Sequence, residues 1–321
     1  MKKVLLGKKD GKDVWEYTLE KGDLSAKILN FGGIISQLSF AGVSVILTYP
    51  TLEDYIQDTF YYGALVGRVA NRIAEGKFSI NGIPYQASQN AGCHTLHGGF
   101  SSFSKKAWEE VFYNEDSLTL SYTSPDGEEG FPGNLEVTVT YTLTEKQGLL
   151  IAYSAKTDKD TVVSLTNHAY FNLSGTPSAE EHLLQIAADK ITLTDKDLIP
   201  NGEMEEVEGT PFDFRLLRLL SLHPRIAGKE TEKTAYDENY VLAGEGFRFV
   251  AALKSPKTGI RMDVYTDARG LQLYTGNPEE AIALETQALP NAINIPTFPS
   301  PILRVGDTYR TATEYRFYLE K

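Results

Sequence analysis

Five short stretches carry side chains whose types and spacing could do chemistry. TNHAYFNLSG, residues 166–175, sets His168 between an apolar run, VVSL, and a Ser-Gly turn. A histidine there is either a satisfied core residue at a strand end or a proton donor. ALETQALP, residues 283–290, places Glu285 directly after AIAL; a carboxylate so placed is partly buried, and burial raises its pKa and suits it to act as a base. The commoner reading of such a residue is a strand-end Glu in a salt bridge. GRVANRI, residues 67–73, holds Arg68 and Arg72 among small and apolar neighbours. Each is either half of a structural ion pair or a fork of donors aimed at an oxygen-rich ligand. NAGCHTLHGG presents His94 and His97 at an H-x-x-H spacing, followed by Gly98-Gly99. A zinc site would want further ligands and the acidic partner of H-E-x-x-H, neither of which is present. The glycine pair signals close approach of backbone to a ligand, or only a tight turn. YDENYVL, residues 236–242, puts Asp237 and Glu238 ahead of a strand-like run, as an ordinary polar turn or as acceptors for sugar hydroxyls.

None of these decides alone. Together they set histidine, arginine and carboxylate at Gly-, Pro- or Asn-marked strand ends, accompanied by Asn71, Asn167 and Gln272. The set supplies general acids, general bases and planar hydroxyl-binding groups. It has no nucleophile motif, no phosphate-binding glycine loop and no metal cluster. Such a set suits a neutral polyhydroxy ligand. DGEEGFPGNL, residues 126–135, lacks the alternating ligands of a calcium loop and reads as a turn into a strand.

The elements that must hold these residues have a period of two. LEVTVTYTL, residues 135–143, alternates apolar and polar through nine residues, the pattern of a half-buried strand. SLTLSYT precedes it, and Glu145-Lys146-Gln147-Gly148 turns it into LLIAYSA, with glycine where a positive φ is expected. FRFVAAL, residues 247–253, turns through Ser255–Gly259 into IRMDVYT, and GLQLYTG follows. Helical signals are few: TLEDYIQD (51–58), with a Thr cap and Asp three residues on, and LLRLLSLHPRI (216–226), ended by Pro224. No linker or repeat divides the chain. The expectation is a single all-β domain over residues 1–321, a large antiparallel β-sandwich with a few short helices.

A formal net charge of -12 over 321 residues argues against nucleic acid. Cys93 is the only cysteine, so no intrachain disulfide forms, which fits a reducing compartment. The apolar run Val4–Leu6 is too short for a signal sequence, and no stretch approaches the ~18 apolar residues of a membrane helix. A cytoplasmic protein with no membrane partner is expected; a homodimer is left open.

These motifs resemble those of the aldose 1-epimerases (galactose mutarotases). GRVANRI, HTLHGG, DGEEGFPGNL, TNHAYFNLSG, YDENYVL, LQLYTGN and LETQ occur in the family's order, from residue 67 to about residue 300. The resemblance implies a large β-sandwich with an open sugar-binding face. It implies interconversion of the α and β anomers of a free aldose such as galactose or glucose, without cofactor or metal. By motif, His168 resembles the general acid and Glu285 the general base. Arg72, His97, Asp237 and Gln272 resemble the sugar-binding groups, assisted by Asn71. The chemistry asks for a protonated His168 near neutral pH. The sequence departs from the family in the short link PEEAIA between Asn277 and Leu284, in ALPNAINIP after ETQ, in Glu238 and in Cys93-His94; these put the identity of the sugar in question more than the reaction. A non-catalytic sugar-binding protein on the same fold is the alternative, and a glycosidase with paired carboxylates is disfavoured because the best motif offers a histidine rather than a second acid.

Overall fold

The alternation in Leu135–Leu143 becomes an alternation of burial: Leu135, Val137, Val139, Tyr141 and Leu143 are buried, and the residues between them are exposed or half-buried. This strand lies between Ser117–Ser124 and Gly148–Thr157 in unbroken antiparallel register. It belongs to a nine-stranded sheet whose order continues through Tyr309–Leu319, Ile260–Thr266, Arg248–Lys254, Leu183–Ile186 and Arg218–Leu219. The computed structural model describes residues 2–179, 181–220, 235–277 and 281–320. Every strand pair among the described residues is antiparallel.

A six-stranded sheet faces the nine-stranded one. Its order is Tyr170–Phe171, Ile282–Gln287, Gly270–Tyr274, Asp237–Val241, Lys190–Thr194 and Pro200–Glu206. Leu271, Leu273 and Leu284 from this sheet share one core with Tyr141, Ile151 and Val264 from the other. Phe171 and Tyr315 meet across it with ring centroids 4.9 Å apart. Two sheets packed face to face over apolar residues are a β-sandwich. A five-stranded sheet, Lys2–Lys9 to Val43–Ser44, adds Tyr17, Leu19, Ile28 and Leu38 to the same core. The apolar run Val4–Leu6 lies on the exposed edge strand of that sheet.

All six residues of Ile282–Gln287 are buried. Ile282 and Leu284 face the shared core, while Ala283 and Glu285 face the opposite side, under the loops. A strand covered on both faces can hold a carboxylate away from water, and this one does.

Two expectations are corrected. The Gln147–Gly148 turn places the positive φ, 53°, on Gln147 rather than on Gly148. Gly148 is needed for space: a Cβ there would stand 2.7 Å from Glu314 Oε1 and 3.0 Å from Thr144 Oγ1. Residues 216–226 were expected to be helical, yet Arg218–Leu219 form a strand on the edge offered by Leu183–Leu184. Leu216 and Leu219 are exposed, so the leucines share no buried helical face; residues 221–226 lie outside the described residues. The other helix forms, Leu52–Gln57. Thr51 Oγ1 accepts the Asp54 N–H, and the Asp54 carboxylate accepts the Thr51 N–H, a reciprocal cap.

Candidate active site

Glu285 stands in mid-strand, not at the strand end its motif suggested. Its cross-strand neighbour is Gln272, whose own neighbour on the other side is Asn239. Asp237 opens its strand, and its Oδ1 accepts a hydrogen bond from Gln272 Nε2 at 2.6 Å. One face of the six-stranded sheet thereby presents Asp237, Gln272 and Glu285 in adjacent rows.

The opposite wall comes from loops. His168 follows the short strand Thr166–Asn167, which pairs with Leu65–Val66. Its peptide is fixed on both sides: the His168 N–H donates to Ala64 O at 2.9 Å, and the Gly63 N–H donates to His168 O at 3.0 Å. Asn167 Nδ2 donates to Gly63 O at 2.7 Å, so Asn167 supports the turn rather than the pocket. Its Oδ1 has no partner among the described residues. Arg72–Ile73 pairs with Thr95–Leu96, bringing Arg72 and His97 together from motifs about 25 residues apart in sequence. Asn71 and His97 both adopt positive φ, 61° and 52°, and bond each other in both directions. The His97 N–H donates to Asn71 O, and the Asn71 N–H donates to His97 Nδ1.

All seven residues singled out by motif converge. Asn71, Arg72, His97, His168, Asp237, Gln272 and Glu285 line one cavity of about 370 Å³. His168 Nε2 lies 3.4 Å from Glu285 Oε1. His168 is not the satisfied core histidine; that description fits His182, which takes the Leu173 N–H at Nε2 and pairs Nδ1 with Ala179 O. His168 Nδ1, Glu285 Oε2 and Gln272 Oε1 are buried without a partner among the described residues. Buried polar atoms left so cost free energy unless water or a ligand meets them.

Burial sets the charge states. It pushes the Glu285 carboxyl up to about 8; nearby Asp237 adds to the rise and the Arg72 guanidinium opposes it. It pulls His168 down to about 4, and takes His97 well below its ordinary value, helped by His168 and Arg72. The expectation of a protonated His168 near neutral pH is therefore corrected. Both partners lose hydration in the same closed site, and the neutral form of each is favoured. Burial thus favours a proton on Glu285 over one on His168.

The two arginines of GRVANRI part company. Arg68 is buried and donates to the carbonyls of Ser124, Pro125 and Pro132, pinning the DGEEGFPGNL turn by backbone acceptors rather than by a carboxylate. Arg72 forms no ion pair among the described residues and lines the cavity. Gly98 and Gly99 serve packing: a Cβ on Gly98 would strike the Gly67 carbonyl, and one on Gly99 the Glu129 carboxylate.

His94 and His97 do not share a ligand position. His94 Nδ1 accepts the Glu75 N–H, and its Nε2 faces Cys93 Sγ. A closer trio does exist: His97, His168 and Glu285 each bring one ligand atom within 4.8 Å of the others. Because His97 Nδ1 accepts a backbone N–H, its neutral ring carries the proton on Nε2 and offers a donor rather than a lone pair.

The departures from the family pattern support the site. Both backbone groups of Ala281 bond the Asn277 amide, closing the short link. In ALPNAINIP, the Asn291 N–H donates to Arg72 O, and Asn291 Oδ1 accepts the Ala74 N–H, so this segment braces the Arg72 strand. Sequence reasoning missed the aromatic walls, Phe60, Tyr61, Tyr170 and Tyr274, and the capping Leu198. Tyr170 was in reach, two residues after His168 in its motif; Tyr61 and Leu198 stand in loops with no motif of their own.

Comparison with known proteins agrees with this architecture. The galactose mutarotase of Mus musculus is 38% identical over 331 residues, spanning 96% of this chain and 95% of that protein. The aldose 1-epimerase of Escherichia coli (strain K12) is 36% identical over 287 residues, 84% of this chain and 83% of that protein. A crystal structure of an aldose epimerase homologue from C. elegans superposes with a TM-score of 0.89 at 30% identity, covering 95% of this chain and 99% of that one. The galactose 1-epimerase from Lactobacillus acidophilus NCFM gives 0.89 at 27% identity, covering 100% and 99%. The family model for aldose 1-epimerase matches residues 16–316, and the chain belongs to that family.

Proposed function

We propose that this enzyme interconverts the α and β anomers of a free aldohexose such as galactose or glucose, with His168 and Glu285 as its proton-transfer pair. The observation that carries the reading is their approach to 3.4 Å inside a cavity rimmed by hydroxyl-binding groups. Opening a sugar ring requires one proton to leave the anomeric hydroxyl and one to arrive at the ring oxygen, as the bond from that oxygen to the anomeric carbon breaks. Two groups near a single carbon must act together, which a carboxylate and an imidazole in one pocket can do.

The pair carries one transferable proton. In its ionised tautomer Glu285 is a carboxylate, favoured by Arg72, and His168 an imidazolium. The carboxylate takes the anomeric proton and the imidazolium gives its own to the ring oxygen. This leaves Glu285 protonated and His168 neutral, the state that burial favours. The free aldehyde rotates about its first carbon–carbon bond, and the same transfers in reverse close the ring on the other face. Asn71, Arg72, His97, Asp237 and Gln272 bind the hydroxyls; His97 donates through Nε2–H, and Asp237 accepts.

The same reading treats residues 1–321 as one domain in the cytoplasm. It is supported by a core running from Tyr17 to Phe317 and by the exposed, unpaired thiol of Cys93. No helix among the described residues is long and apolar enough to cross a membrane.

The test is polarimetry or NMR exchange on freshly dissolved α-D-galactose and α-D-glucose, with His168→Ala and Glu285→Gln as controls. Acceleration that falls about 10²–10⁴-fold in either variant is expected. No acceleration on any aldose would remove the enzyme reading, and full activity in both variants would remove the residue assignment. Loss of activity on chelation would reassign His97, His168 and Glu285 as metal ligands.

A further inference from the structure

Tyr61 sits where an aromatic residue is costly. Its φ is 61°, in the left-handed region that glycine and asparagine enter easily and bulky side chains do not, at a cost of about 1–3 kcal/mol. Four contacts hold it there. Asp58, itself buried, accepts the Phe60 N–H at Oδ1 and the Tyr62 N–H at Oδ2, both at 2.7 Å. Tyr49 OH donates to the same carboxylate, and Lys105 Nζ donates to the Asp58 carbonyl at 2.6 Å. Tyr62 then stacks on Tyr49 at 4.5 Å and 12°. The loop continues into Gly63 and Ala64, the residues that bond the His168 peptide from both sides.

This strain has a visible product. The Tyr61 ring lies 5.9 Å from the His168 ring at 26° from parallel, and 4.8 Å from His97. Its hydroxyl has no hydrogen bond among the described residues, so that group does not explain the placement. Glycine or asparagine would enter this φ more easily, and the backbone alone gives no reason for an aromatic ring at position 61. We infer that Tyr61 is a positioning residue for the proton-transfer pair: its ring forms one wall of the slot that aims the His168 imidazole at Glu285 and keeps water from it. The inference rests on the assignment of His168 as a proton-transfer group.

The other groups facing His168 are Glu285, His97, Tyr170 and Tyr274, with Arg72 and Asp237 in the same cavity. Of the rings around it, Tyr61 stands nearest to parallel with the imidazole, at 26°, against 41° for Tyr170, 74° for Tyr274 and 78° for His97. Removing the Tyr61 ring opens that side of the imidazole to solvent, which restores hydration of the imidazolium.

Three variants test this. Tyr61→Phe keeps the ring and should hold kcat within about threefold, with the acid limb of the pH profile unmoved. Tyr61→Gly removes the ring and relieves the backbone; kcat should fall about tenfold or more, with the acid limb moving up by about one pH unit. Tyr61→Asn, also at ease with this φ, should repeat the glycine result and stands in if Tyr61→Gly does not fold. NMR titration of the His168 ring in each protein reads the same shift without turnover. A His168 titration that is the same in wild type, Tyr61→Gly and Tyr61→Asn would overturn the inference, whatever the activities. Failure of the wild type itself to accelerate anomer exchange would instead overturn the enzyme reading, while the titration still reports whether Tyr61 shields the imidazole.

Discussion

Replacing Glu285 by glutamine should lower catalysis about 10²–10⁴-fold and at the same time stabilise the protein, relative to wild type, as the pH rises. The side chain is 2% exposed, and its carboxyl is raised from 4.5 to about 8, first by burial and then by Asp237. A group whose folded pKa lies above its unfolded one supports the fold fully below the unfolded value. That support is lost as pH climbs through the folded value. The gap of about 3.5 pH units, at about 1.4 kcal/mol each, is worth about 5 kcal/mol in full. Between pH 5 and pH 9 about 4 kcal/mol of it develops. Glutamine has the shape of the protonated acid and never ionises. The variant should therefore match wild type at pH 5 and exceed it at pH 9. Titrating groups that do not interact with Glu285 cancel in the difference between the two proteins at one pH. Urea unfolding of both proteins at pH 5, 7 and 9, followed by tryptophan fluorescence, gives the difference directly. A gap that stays constant across that range would mean Glu285 is ionised in the folded protein near neutral pH, and the account of its proton would be wrong.

Other outcomes follow from the same geometry. After subtraction of the spontaneous rate, kcat/KM should form a bell with limbs near pH 4 and pH 8, the values to which burial moves His168 and Glu285; the limbs belong to the pair, and a profile flat from pH 5 to pH 10 would contradict it. Arg68→Met should lower stability by about 3–5 kcal/mol, because it strips the carbonyls of Ser124, Pro125 and Pro132 of their donor, two of those bonds being buried. Arg72→Met should instead raise KM about tenfold or more with little change in unfolding midpoint; the reverse pattern would exchange their roles. Both amide atoms of Asn239 and of Gln287 are buried and unpaired among the described residues, so a high-resolution crystal structure should show ordered water bridging them. A dry, fully packed site there would count against it.

What could be read in advance divides along a physical line. Strand alternation is local, and it located Leu135–Leu143 and its neighbours because each residue's face is settled by its own sequence. The seven motif residues were legible for a different reason: no one of them decides alone, but the stretches that carry them resemble those of the aldose 1-epimerases in order, and the structure brings all seven to one cavity. Position within the strand was less legible. Glu285 looked like a strand-end carboxylate because AIAL was read as the entire strand, whereas pairing with Gly270–Tyr274 continues through Gln287. Its proton was not legible at all. A carboxyl and an imidazole show ordinary acidities in a sequence, and only the covering of Ile282–Gln287 on both faces inverts them. Tyr61 escaped for the same reason. Nothing in DTFYYG marks a residue at positive φ; that conformation is imposed by Asp58, Tyr49 and Lys105, which reach the loop from as far as 47 residues away in the chain. The residues found by motif line the cavity, while Tyr61, which meets His97 and His168 from a loop, shows itself only in three dimensions. The acid–base behaviour of this pocket is thus a property of its walls as much as of His168 and Glu285, and a chain that kept both residues but opened either wall would keep the motifs and lose the poise.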